Sequence, residues 1–282
     1  MILNQSIKPF YAFFFLIMLF IFLPINDFYT YCAFALLLIL FGIPHGTLDI
    51  FSIEKIARFN KSVGKVYAFN YMLLIFLYLL VFLLSFVFWM QASTLAFLIF
   101  ILIGAFHFRH DWSDDKTLII ILSLSSLLSP CIFNSVLLIQ YLEYLYIPKN
   151  MAELLTQIFF ILFFILNIVL IFYFKRLKGI TIFKYLIVIL CSFISDPIIF
   201  FICYFCCIHS FLHTHQYISE NNLTIKSVYD KTKWILFFTV ILFIICIFYF
   251  DEFDFSEQII KASFIGLFSF TIPHVLIHTV KK

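Results

Sequence analysis

Apolar residues run in long blocks along this chain, separated by short polar connections. Ten such blocks stand out, at roughly 10–23, 30–46, 66–90, 92–108, 117–142, 154–174, 180–195, 197–216, 234–250 and 259–280. A helix needs about 20 apolar residues to cross a bilayer, and most of these blocks approach that length. The pattern therefore predicts an all-α, polytopic integral membrane protein with eight to ten transmembrane helices. Pro130 lies inside the 117–142 block and predicts a break there into a re-entrant pair. The block after Lys8 has the look of a signal peptide, but no small-residue cleavage site comes after it, so it reads as a first membrane helix. The whole of 1–282 reads as a single transmembrane helical domain.

Composition sharpens this reading. Hydrophobic residues make up 65% of the 282 positions and charged residues 12%, whereas a soluble domain carries about a quarter charged. Threading ten spans from a cytoplasmic N-terminus assigns every connection a side. Of 18 lysines and arginines, that threading leaves only Lys149 and Lys261 outside. Such a bias predicts a plasma (inner) membrane protein with both termini in the cytoplasm. No basic stripe suggests nucleic acid. The seven cysteines fall in or beside apolar blocks, so they read as small apolar filler rather than a disulfide framework. The same holds for Cys203, Cys206 and Cys207 despite their metal-like spacing.

The threading was not fitted to histidine, yet it places His45, His107, His209, His213 and His274 near cytoplasmic segment ends. Ionisable residues at membrane depth are costly and are functional candidates by default. Four pairs are spaced i, i+4: His45/Asp49, His107/Asp111, His209/His213 and His274/His278. That spacing puts both members on one helix face. Two imidazoles one turn apart can ligate one metal. A ligating histidine usually donates its other ring N–H to a carboxylate, which fixes its tautomer and orientation. Asp49 and Asp111 are expected to play that part toward His45 and His107. His110 and His215 read as interfacial polar residues, and so does His278, which lies close to Lys281 and Lys282. An all-imidazole donor set suits iron, copper or zinc.

Four elements resemble a known family. Gly42-Ile43-Pro44-His45-Gly46-Thr47-Leu48-Asp49 resembles the G-x-P-H-G-x-x-D signature of the Brp/Blh family. His107-Phe108-Arg109-His110-Asp111-Trp112 is similar to its H-F-G-x-D-W element. His209-Ser210-Phe211-Leu212-His213 is similar to its H-S-x-x-H element, and Thr271-Ile272-Pro273-His274 to its T-x-P-H element. All four occur in the family's order across 42–274. The family is known as bacterial and archaeal membrane β-carotene dioxygenases, which cleave the central double bond with O2 to give two retinals, often for a rhodopsin. The resemblance implies a ferrous iron, Fe(2+), held by His45, His107, His209 and His213 as catalytic and metal-ligating residues. His274 would sit close by, with Asp49 and Asp111 in support. Arg109 departs from the pattern by standing where glycine is expected, where it would crowd the site or pair with Asp111.

Three other readings remain. A membrane di-iron desaturase or hydroxylase also uses H-x-x-x-H elements, but it needs H-x-x-H-H boxes as well, and none occurs here. A carotenoid- or retinal-binding carrier would need no turnover. A transporter would use the histidines as a proton relay.

Overall fold

The computed structural model describes residues 6–22, 27–59, 65–112, 114–250 and 253–280. The chain is all-α, with no strand among the described residues. In chain order the helices are α1 (Lys8–Phe22), α2 (Asp27–Leu37), α3 (Ile43–Thr47), α4 (Asp49–Phe59), α5 (Lys65–Gln91), α6 (Ser93–Phe108), α7 (Lys116–Leu128) and α8 (Pro130–Phe133). Next come α9 (Ser135–Tyr144), α10 (Lys149–Phe172), α11 (Gly179–Ile194), α12 (Pro197–Cys203), α13 (Phe211–Glu220), α14 (Ile225–Tyr249) and α15 (Phe255–Val280). Among the described residues, eight helical stretches are long and apolar enough to cross a membrane, and the shorter α1 and α11 are apolar too. Each of the ten apolar blocks thus finds its helix, and the chain is a multi-pass membrane protein.

The break in the fourth long stretch lies later than expected. Lys116–Phe133 is long enough to span, with Pro130 in the first turn of α8, where a missing N–H costs nothing. The chain turns instead at Asn134, which leaves helical geometry at φ −136°, ψ 46°. Its side-chain amide donates to the Ser195 carbonyl at 2.8 Å. Asp196 caps α12 by accepting from the Ile198 N–H at 2.7 Å, and it also accepts from the Tyr141 hydroxyl. These contacts replace the backbone bonds that the break gives up, as an apolar surrounding requires.

Helix α15 is the hub. It packs against α5, α14, α2, α4 and α9. Helix α1 lies against α11 and α12, with Phe10, Phe13 and Ile17 fully buried. Its Phe13 ring meets Tyr204 and Phe200 edge-on, so the first apolar block is part of the bundle. Several hydroxyls inside the bundle are satisfied within their own helix. Ser126, Thr156 and Ser269 hydroxyls donate to carbonyls four residues back. Between helices, Tyr185 donates to Asn167 at 2.7 Å and Asn167 donates to Ser125 at 2.9 Å, a polar tie of the kind that joins membrane helices. Lys261, expected in an outside connection, is buried instead. Its ammonium is held by Glu257 and by the Tyr144 carbonyl, both at 2.5 Å.

Candidate metal centre

Two irregular turns and two prolines aim the histidines. The chain leaves α2 through a π turn, Leu38–Gly42, and enters α3 with Pro44 in its first turn, just before His45. A second π turn, Tyr204–Ser210, carries His209 and hands over to α13, which carries His213. A π turn inserts an extra residue and so rotates the helix beyond it; such turns gather at functional sites. Gly42 lets the two turns approach. A Cβ there would stand 3.0 Å from Phe205 Cε1 and 3.2 Å from Leu38 Cδ2. In α15, Pro273 again precedes a histidine, His274. His107 lies in the last turn of α6.

These elements bring five imidazoles together. Ring centroids stand 5.1 Å apart for His45 and His209, 4.5 Å for His45 and His213, and 5.1 Å for His45 and His274. His107 lies 4.6 Å from His209 and 4.9 Å from His274. One nitrogen from each of His45, His107 and His274 falls within a 4.8 Å group. His45, His209 and His274 are buried. His45 Nδ1, His209 Nε2, His213 Nδ1 and His274 Nε2 are buried atoms without a hydrogen-bond partner. A buried polar nitrogen left unpaired costs roughly 1–3 kcal/mol, so four in one place make a donor set suited to one shared ion.

Both carboxylates serve the cluster, but not through the pairs that spacing suggests. Asp49 accepts from His274 Nδ1 at 2.8 Å, from the Tyr78 hydroxyl at 2.9 Å, and stands 3.3 Å from His278 Nε2. Asp111 meets His209 Nδ1 at 3.1 Å and accepts from the Tyr204 hydroxyl at 3.3 Å. The expected orienting pairs His45/Asp49 and His107/Asp111 are therefore corrected to His274/Asp49 and His209/Asp111. The reason is local. The α3 helix stops at Thr47, and Asp49 opens α4 after a tightened turn at Leu48, whose N–H bonds back three residues to His45. Asp111 ends a 3-10 turn, Arg109–Asp111, whose three-residue period takes it off the His107 face. In each carboxylate–imidazole pair the Nδ1–H is the donor, which leaves the Nε2 lone pair directed at the cluster.

Three further placements matter. His278, expected at the interface, joins the cluster through Asp49. Its only sequence signal was the i, i+4 spacing from His274. Tyr78 and Tyr204 were not anticipated, since an isolated tyrosine in an apolar block carries no periodic signal. Arg109 neither crowds the histidines nor reaches Asp111. Its guanidinium lies 3.4 Å over the Phe106 ring, and among the described residues no ion pair joins it to Asp111. His110 and His215 are exposed. Cys203, Cys206 and Cys207 are free thiols, outside every cluster of ligand atoms found among the described residues.

A cavity of about 430 Å³ adjoins the cluster, with His45, Asp49, His107 and His274 in its wall. The remainder is mostly apolar, drawn from α5, α6, α14 and α15, and includes Phe82, Phe100, Phe243 and Phe270. On α14 the lining runs from Lys231 to Cys246, about 22 Å at 1.5 Å per residue. The cavity is thus long, and the histidines with Asp49 form one part of an otherwise mostly apolar wall.

A family model described as beta-carotene 15,15'-dioxygenase matches residues 36–280. No curated protein and no solved structure gives a significant match. The matched stretch contains all six clustered histidines, both carboxylates and the cavity-lining helices. With most of its length covered, the chain belongs to the beta-carotene 15,15'-dioxygenase family.

Proposed function

We propose that this chain is an iron-dependent oxygenase that cleaves the central double bond of β-carotene, or of a related carotenoid, to give retinal. The observation that carries this reading is the meeting of five imidazoles, four with buried unpartnered nitrogens, at the wall of a long apolar cavity. The donor set fits the metal. Imidazole suits iron, copper and zinc, and His209 and His274 have the carboxylate-backed tautomer of a metal ligand. His45, His107, His209, His213 and His274 would hold the ion, with Asp49 and Asp111 behind two of them. Bound ferrous iron supplies the site at which dioxygen is activated.

The protein's own part is positioning and exclusion. The phenylalanine-lined slot binds a polyene along α14 and α15 and keeps water from the reacting bond. The slot's end wall fixes how far the substrate enters, and so which bond lies beside the histidines. Tyr78 lines the slot and also holds Asp49, which links substrate binding to the orientation of His274. No general base is needed for this chemistry, and none is assigned.

The lysine and arginine asymmetry supports placement in the plasma (inner) membrane, with the histidine end toward the cytoplasm. Substrate then arrives from the lipid, and retinal is released to a lipophilic recipient such as a rhodopsin. A carrier that binds carotenoid without turnover is the second reading, favoured by the same cavity. Co-expression in a cell that accumulates β-carotene, with chromatography of the pigments, separates them. The oxygenase predicts loss of orange colour with appearance of retinal. Intact carotenoid that copurifies with the protein, without retinal, would select the carrier.

A further inference from the structure

His278 stands one turn beyond His274 on α15, at the rim of the cluster. Its side chain is 26% exposed, whereas that of His209 is 1% exposed. One ligand atom from each of His213, His274 and His278 lies within 4.8 Å of the others, which makes a second three-imidazole group. Its ring centroids are 5.7 Å apart for His213 and His278, and 4.6 Å for His274 and His278. Two of its nitrogens, His213 Nδ1 and His274 Nε2, are buried and unpartnered. Those two histidines also belong to the inner set around His45 and His107. Asp49 stands against both His274 and His278, so it holds the two rings of this helix face in register.

The two groups share His274, whose Nδ1 is taken by Asp49, so its Nε2 is left to serve one ion at a time. An ion on the outer group would reach the inner one by giving up His278 and gaining His45 and His107. On α15 the ring of His274 is buried, whereas that of His278, in the outer group, is partly exposed. We propose that His213, His274 and His278 form an entry site, which takes a divalent metal ion from the aqueous edge and passes it inward by ligand exchange. This rests on the reading of the inner histidines as a metal centre.

The test is the rate of metal uptake by metal-free full-length protein, tracked by the visible absorbance of added Co2+, with final cobalt content measured by mass spectrometry. His278→Ala should fill to the wild-type content but about tenfold more slowly, in line with the loss of one supporting imidazole. His278→Gln keeps a donor for Asp49 and should be slow as well, which separates ligation from mere support of Asp49. His215→Ala, at an exposed histidine outside the trio, should fill as fast as wild type. Wild-type rates in both His278 variants would overturn the proposal. So would loss of final cobalt in both, because His278 would then be a resident ligand. If His278→Ala does not fold, His278→Gln decides. Failure of the wild type to take up cobalt would overturn the inner metal centre too, and this outcome is distinct from the others.

Discussion

Asp49 stands four residues after His45, yet its carboxylate binds His274 Nδ1 at 2.8 Å across 225 residues of sequence. Asp111 repeats the relation with His209, 98 residues away. Each aspartate also accepts from a tyrosine, Tyr78 or Tyr204. Two His–Asp–Tyr chains therefore brace the cluster from separate helices.

This bracing sets the behaviour of conservative variants. Asp49→Asn and Asp111→Asn keep the shape and one acceptor oxygen but lose the charge. Each should lower metal affinity by about 10–100-fold, with activity partly restored by added ferrous iron. Metal titration of the two purified variants beside wild type checks this. Wild-type affinity in both would remove the orienting role.

Gly42 is predicted to be intolerant of even a methyl group. Gly42→Ala drives a Cβ to 3.0 Å from Phe205, and Phe205 stacks near His209 at 5.8 Å between centroids. Overpacking of this kind costs about 1–3 kcal/mol. A lower melting temperature together with reduced metal content is expected. Unchanged values for both would show that the two π turns have slack.

Gly266 offers the opposite case. It lines the cavity, and a Cβ there meets nothing within 4 Å. Gly266→Leu should fold and keep its metal while it fills part of the slot. Carotenoid affinity should fall by roughly tenfold, the scale at which one added bulky group is discriminated in an apolar pocket. Undiminished turnover of β-carotene by this variant would place the substrate elsewhere.

Arg109→Gly tests the one clear departure from the family pattern. The guanidinium rests on Phe106, a contact worth about 0.5–1 kcal/mol at an exposed site. Metal content and retinal formation should stay near wild type. A dead enzyme would reveal a task for Arg109 that its placement over Phe106 does not explain.

Much of this was legible in the chain itself. Apolar blocks of near-bilayer length marked the helices, because a lipid surrounding forces each block to satisfy its own backbone. His45, His107, His209 and His213 stood out because charge-capable groups are rare at such depth. The partners of Asp49 and Asp111 were not legible. Spacing predicts contacts only while the α-helical period holds, and the tightened turn at Leu48 and the 3-10 turn at Arg109–Asp111 both break that period. The link from His278 to the cluster was hidden for a related reason. Nearness to Lys281 and Lys282 suggested the interface, while its contact with Asp49 depends on how α15 packs against α4. The later break at Asn134 rests on a tertiary bond to Ser195, which no local pattern encodes.

The central claim is that the buried imidazoles hold iron. Its most direct test is the iron content of purified protein, measured by mass spectrometry for wild type and for His45→Ala with His209→Ala in one chain. The account predicts about one iron per chain in the wild type, as one mononuclear all-imidazole site requires, and almost none in the double variant. Equal iron in the two proteins would contradict it.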